Sequence, residues 1–204
     1  MLFPPSCASC GSVGRSVCLP CSHALRDAVP VTSVAGLNDC QSLLDFSGVG
    51  RELILGLKYR NRRAVVAPLA HAMAGLVAAS AIDVVTWAPT SRPRRRQRGF
   101  DQAQLLAQAV GGHLGKPCRN LLWRHRGHPQ TGQGRINRRN GPSFDCRDRI
   151  VGCVLVVDDV ITTGATLTAA ALALRAAGAV RVCGLTAAST ALNVPSSLVT
   201  ESQN

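Results

Sequence analysis

The stretch Val154-Leu-Val-Val-Asp-Asp-Val-Ile-Thr-Thr-Gly-Ala-Thr166 constrains this chain more than any other. Its aliphatic run, of the kind buried on both faces of a parallel sheet, leads straight into two adjacent carboxylates. A buried strand has no place for paired negative charges, so Asp158 and Asp159 mark a polar site at the end of a strand spanning Val151 to Val157. Thr166 to Ala177 then reads as an alanine-rich helix closed by Gly178, and Val180 to Thr186 as a second strand. Strand, helix and strand in so short a span make a βαβ unit. The alternation over residues 83–190 predicts an α/β fold with a parallel sheet flanked by helices.

In open sheets of this kind ligands gather at the carboxyl ends of the strands. Thr162, Thr163, Gly164, Ala165 and Thr166 fall where backbone N–H groups cluster at a helix start, and their hydroxyls add further donors. That is a phosphate cradle, with Gly164 allowing close backbone approach. Asp158 and Asp159 would repel a phosphate and suit vicinal hydroxyls, which donate to carboxylates. A ribose 5-phosphate satisfies both halves. No Gly-Lys-Ser/Thr follows, so this is not a Walker loop.

Elsewhere, Leu53, Ile54 and Leu57 share one helical face from Arg51 onward, followed by a basic elbow and an apolar run. Ala64 to Ile82 is apolar, but it is mostly alanine and contains Pro68 and His71, so it reads as a buried helix with no insertion into a membrane. Asp83 to Ala88 is a short strand stopped by Pro89, and it feeds an arginine-rich loop up to Gly99. Phe100 to Leu114 is a helix with Leu105, Leu106, Ala109 and Val110 on its buried face. Residues 115–149 read as a long polar loop, and residues 193–204 as a frayed tail.

The net charge is +12, and 14 of the 23 cations lie between Arg92 and Arg149. Of those 23, 21 are arginine, the planar fork suited to phosphate oxygens. Aromatic residues make up only 3%, which leaves few stacking platforms for single-stranded nucleic acid. Nine cysteines would fit a secreted disulfide protein, but the N-terminus has no export signal, so reduced thiols in a cytoplasmic protein are expected. Cys7-x2-Cys10-x7-Cys18-x2-Cys21 then supplies four thiolates for one structural Zn²⁺ in a small knuckle over residues 1–30.

The aliphatic-acid-acid-x-x-Thr-Thr-Gly-x-Thr pattern resembles the phosphoribosyl diphosphate (PRPP) motif of type I phosphoribosyltransferases. Together with Leu57-Lys-Tyr-Arg60, Arg98-Gly-Phe-Asp-Gln102, Gln130-Thr-Gly, Arg139-Asn140 and the four cysteines, the chain resembles the ComF/GntX family from Cys7 to about Ser189. The family usually has Asn where this chain has Asp101, and leucine where it has Gln133.

The resemblance implies a phosphoribosyltransferase-like domain over 31–192, with a hood at about 35–60 and a mobile loop at about 124–144. It implies that Asp158, Asp159 and Arg139 serve catalysis, that Thr162 to Thr166, Arg94, Arg98 and Lys58 bind substrate, and that His125, His128 or Arg135 help stabilise departing diphosphate. Mg²⁺ would accompany PRPP, transfer would go to an unspecified acceptor, and single-stranded DNA or the DNA-uptake machinery would be a partner. The alternative is a non-catalytic protein of the same fold that binds phosphate or single-stranded nucleic acid.

Overall fold

The computed structural model describes residues 4–31, 33–125, 142–146 and 148–190. Helix α1 (Leu19–His23) closes the cysteine-rich N-terminal segment. Strand β1 (Asp39–Asp45), helix α2 (Gly48–Tyr59), helix α3 (Val66–Ala74), strand β2 (Val84–Trp87) and helices α4 (Arg92–Arg98) and α5 (Gln102–Leu114) follow. Strands β3 (Leu122–Arg124), β4 (Phe144–Cys146) and β5 (Cys153–Ile161), helix α6 (Ala165–Ala176) and strand β6 (Arg181–Ser189) complete the described chain.

The main sheet has the order β1-β6-β5-β2, and every pairing in it is parallel. Strand β5 is interior and alternates between faces: Cys153, Leu155 and Val157 join the side covered by α2, α3 and α5, whereas Val154 and Val156 join the side covered by α6. This alternation is the normal consequence of the pleat, and the aliphatic side chains bury both ways. Both outer strands are covered. The segment before β1 bonds along it through Ala28 N–H to Leu43 O at 3.2 Å and Asp45 N–H to Arg26 O at 2.9 Å. Beside β2, Val85 N–H donates to Pro117 O and receives Arg119 N–H at its own carbonyl, both at 2.9 Å.

The predicted βαβ unit is present as β5-α6-β6, and the apolar face of α2 buries Leu53, Ile54 and Leu57 completely. Several expectations need correction. β5 runs through both aspartates to Ile161 instead of ending at Val157. The apolar run to Ile82 is not one helix: only Val66–Ala74 is α-helical, with short 3-10 turns at Arg63–Val65 and Ala79–Ala81. The arginine-rich segment is not all loop, because Arg92–Arg98 is helical between Ser91 and Gly99. On α5 the buried face is Ala103, Leu106, Ala107 and Val110, while Leu105 and Ala109 are only partly buried. Part of the long polar stretch forms the antiparallel pair β3–β4, and residues 39–45 of the expected hood form a strand of the main sheet.

Candidate functional site

The carboxyl ends of β1, β2 and β5 open on one cleft of about 280 Å³. Phe46 follows β1, Ala88 to Thr90 follow β2, and Asp158 to Thr162 end β5; Lys58 from α2, Arg94 and Arg98 from α4, and Arg124 from β3 close the walls. This is the edge at which open parallel sheets collect ligands.

The two carboxylates are neighbours on a strand, so the pleat sends them to opposite sides. Asp159 follows the parity of Leu155 and Val157 toward α2, where Lys58 Nζ meets its Oδ1 at 2.8 Å. Both groups are shielded, with side-chain exposures of 16% and 14%. Among the described residues no cation pairs with Asp158; its Oδ1 accepts the Asp159 N–H at 2.8 Å. Burial pushes the Asp158 carboxyl well above the usual range, and the negative charge of Asp159 adds to the effect. An acid so placed is short of a partner, and hydroxyl donors or a cation would relieve it.

Beyond the strand, Thr162 to Leu167 wrap a smaller hollow of about 30 Å³ that adjoins the cleft. Gly164 precedes α6 with φ +74, and a Cβ there would approach Val34 Cγ1 to 3.3 Å. Both the backbone conformation and the lack of room call for glycine. Among the described residues, the side-chain hydrogen bond to this turn is weak, Ala165 N–H to Thr163 Oγ1 at 3.4 Å. The next N–H groups of a first helical turn have no partner inside the helix, so they are open to an anion.

The opposite wall is held together by side chains. Arg98 donates from Nη1 to Gln102 Oε1 at 2.9 Å and from Nη2 to Tyr59 Oη at 3.0 Å, and its guanidinium lies 4.8 Å from the Tyr59 ring centre. Arg63 stacks on Phe100 at 4.2 Å. The segments Leu57–Arg60 and Arg98–Gln102, far apart in sequence, therefore interlock. Two donors on this wall, Arg98 Nε and Gln102 Nε2, are buried without a partner among the described residues. Arg124 donates from Nη1 to Pro89 O at 3.3 Å; burial lowers its pKa, and the charge of Arg94 lowers it further.

Asp101 does not act as free negative charge beside the arginines. It caps α5, accepting from Ala103 N–H at 3.1 Å and Gln104 N–H at 3.4 Å, while its other oxygen takes Thr90 N–H at 2.9 Å. Burial raises its pKa, and these N–H donors work against that rise. The carboxylate thus ties the loop after β2 to α5.

Of the predicted site residues, Asp158, Asp159, Thr162, Thr166, Lys58, Arg94 and Arg98 line the cleft, and Thr163, Gly164 and Ala165 line the adjoining hollow. Arg139, Arg135 and His128 lie outside the described residues. His125 is described and half-exposed, and it pairs with Asp145 at 2.8 Å across β3 and β4 rather than lining the cleft. Sequence reasoning missed Arg124 and Gln102 as cleft-lining residues and Tyr59 as the support of Arg98; Tyr59 and Gln102 lie within the quoted motifs, but nothing in either motif shows that both meet Arg98.

At the N-terminus the Sγ atoms of Cys7, Cys10, Cys18 and Cys21 all lie within 4.8 Å of one another. Cys10 and Cys18 are 3.5 Å apart, close to the edge of a tetrahedron with metal–sulfur bonds of about 2.3 Å. Burial raises the Cys7 thiol, but N–H donors from Cys18, Cys10 and Ser9 outweigh it and bring it down to about 6. Burial raises the Cys21 thiol to about 12, so it is the spacing of the four sulfurs that fits a tetrahedral metal with no open position. Cys40, Cys153 and Cys183 are buried in the domain.

Fold and site together define a parallel α/β protein with an acidic and basic cleft at the carboxyl edge of its sheet and, near its N-terminus, a cluster of four cysteines spaced to hold a metal ion. No family profile matches the chain, and no curated protein does. A solved structure of the allosteric regulatory enzyme of purine biosynthesis aligns over 61% of this chain and 25% of its own, at 23% identity and a TM-score of 0.41. The chain thus spans about a quarter of that protein's length. At so low a score, the description of the fold rests on the sheet topology itself.

Proposed function

We propose that this protein binds phosphoribosyl diphosphate and transfers its phosphoribosyl group to an acceptor, in the manner of a type I phosphoribosyltransferase of the ComF kind. The observation that supports it best is the shared cleft: two carboxylates, a threonine-rich helix start and four cations from three other elements face one space. Thr162 to Thr166 would hold the 5-phosphate through backbone N–H groups and hydroxyls. Asp158 and Asp159 would accept from the ribose hydroxyls. Arg94, Arg98 and Lys58 would hold the diphosphate by charge, and Arg139 from the segment 124–144 would join them on closure.

In the reaction the bond from the anomeric carbon to the diphosphate oxygen breaks, the electron pair leaves with the diphosphate, and an acceptor lone pair forms the new bond. The carboxylates beneath the ribose stabilise the positive charge that develops on the ring. Two hard oxygen donors fit Mg²⁺, which would neutralise the leaving group. Lys58 already occupies one of them, so these residues would hold the ion only together with substrate oxygens. Zn²⁺ suits the four thiolates. The reading places the protein in the cytoplasm; among the described residues no helix is long and apolar enough to cross a membrane.

Titration calorimetry with PRPP and Mg²⁺ tests this reading: the parent protein should bind, and the D158N/D159N double variant should lose binding by at least about 100-fold, some 2.7 kcal/mol. A parent protein that shows no heat and no thermal stabilisation would defeat it. A second reading, a phosphate or single-stranded nucleic-acid binder linked to DNA uptake, is favoured by Arg95 and Arg96, which are exposed on α4 and do not line the cleft. Salt-sensitive single-strand binding that survives the double variant would select it.

A further inference from the structure

Gly56 sits inside α2 with no room for a side chain. A Cβ there would fall on the carbonyl oxygen of Ala8, well inside contact distance, with Ala8 Cβ 3.3 Å from the same point. Ala8 follows the first cysteine of the four-thiol site and is only 2% exposed. Its N–H donates to Ser16 O at 2.9 Å, and the Cys7 N–H donates to Ser12 O at 2.7 Å, so the folded knuckle fixes where that carbonyl lies. On the other side of the contact, the Gly56 carbonyl accepts the N–H groups of Arg60 and Arg62, both at 3.1 Å, and the end of α2 is wound about it. Two residues beyond Gly56, Lys58 reaches Asp159 at 2.8 Å; three beyond, Tyr59 takes Arg98 at 3.0 Å.

We propose that the four-cysteine knuckle positions the cleft: by pressing the Ala8 carbonyl onto Gly56 it sets the last turn of α2, so that metal held by the four thiols governs whether Lys58 reaches Asp159. Ala8 and Gly56 are positioning residues, acting through Lys58 and Tyr59. Close-packed interiors pass small displacements on rather than absorbing them, and backbone against backbone is the stiffest such contact. The knuckle has little else to hold its shape: among its described residues, 4–30, the buried apolar ones are Cys7, Ala8 and Cys21, too few for a core of its own. Releasing the metal would therefore loosen the Ala8 carbonyl first.

The chain has two lysines, Lys58 and Lys116, and Lys116 follows α5 without lining the cleft. Reductive methylation with ¹³C-formaldehyde keeps both lysine charges and gives, beside the α-amino signal, one reporter signal at the α2–Asp159 contact and one internal control. In the full chain loaded with zinc, stripping by a chelator that reports zinc release should move the Lys58 signal, leave Lys116 in place, and reverse when zinc is restored. G56A with zinc retained should reproduce the Lys58 shift; if that variant does not fold, the zinc-stripping result decides alone. A Lys58 signal unmoved after complete zinc release would overturn the proposal. So would joint collapse of both signals to unfolded positions, since the knuckle would then be a general staple. Affinity for inorganic diphosphate, which rests on the reading of the cleft above, should fall on the order of tenfold in the stripped protein. Zinc-loaded protein that binds no diphosphate would defeat that reading, while the lysine signals still decide this one.

Discussion

The two walls of the cleft are made in different ways. One is the corner after β5, where nine consecutive residues from Asp158 to Thr166 supply carboxylates, hydroxyls and open N–H groups. The other is assembled from α2, α4, α5 and β3, whose contributing residues run from Lys58 to Arg124 and are locked by the Arg98–Tyr59, Arg98–Gln102 and Lys58–Asp159 contacts. A contiguous wall is a property of local geometry and survives as long as its strand and helix do. The assembled wall depends on the packing of distant elements and meets the first at the Lys58–Asp159 pair, so it can be adjusted while the strand and helix of the first stay intact.

The contrast can be broken most severely at the corner. G164V would force a β-branched side chain into a left-handed backbone and against Val34, costing about 1–3 kcal/mol of stability, and should abolish PRPP binding in calorimetry. Retained binding with only lower stability would show that the corner is not the phosphate seat.

Replacing Arg98 by Ala acts on the assembled wall alone. PRPP or diphosphate affinity should fall about tenfold, roughly 1.4 kcal/mol, with a shallower salt dependence, while the melting temperature moves little. An effect equal to that of G164V would erase the distinction between the walls.

D158N separates binding from stability. The raised Asp158 pKa means that the folded state holds a proton which the unfolded chain has already released, so stability falls as pH rises from the ordinary carboxylate range through the raised value. Above that window the variant should be more stable than the parent, by roughly 0.5–2 kcal/mol, while losing PRPP binding. Below the ordinary carboxylate pKa the two should converge in a pH series of thermal melts.

The smallest effect on binding is expected at Asp101. Asn can keep the cap to Ala103 N–H, but its NH2 group cannot accept the Thr90 N–H, so D101N should cost about 1 kcal/mol of stability and D101A about 2 kcal/mol, with ligand affinity intact in both. A large gain in diphosphate affinity for D101N would mean that the carboxylate acts as free charge after all.

The same contrast explains what the sequence revealed. The β5 corner, the βαβ unit, the face of α2 and the four-cysteine cluster each announce themselves through short spacings, because chain geometry alone brings those residues together. Strand β1 did not: Asp-Cys-Gln-Ser-Leu-Leu-Asp contains no β-branched residue, and its place is set by pairing with β6. The continuation of β5 through Asp158 and Asp159 was hidden because charge reads as a strand end, although at the mouth of a cleft a strand can keep its ladder and still present carboxylates. Helix α4 was concealed by its arginines, despite Pro93 near its start and Gly99 at its end, the usual marks of a helix. Tyr59 and Gln102 were illegible for a simpler reason: their partner Arg98 is 39 residues from one and four from the other, and only packing joins them.

The coverage of both outer strands also bears on how this protein behaves in a crowded solution. With residues 26–28 bonded along β1 and residues 117–119 along β2, the sheet offers no long bare row of N–H and C=O groups to a neighbouring copy. Strand-by-strand growth into fibrils is blocked at each end by the chain's own backbone. Cleavage between the cysteine knuckle and β1 would free one of those rows, so limited proteolysis there should turn a well-dispersed protein into one that precipitates.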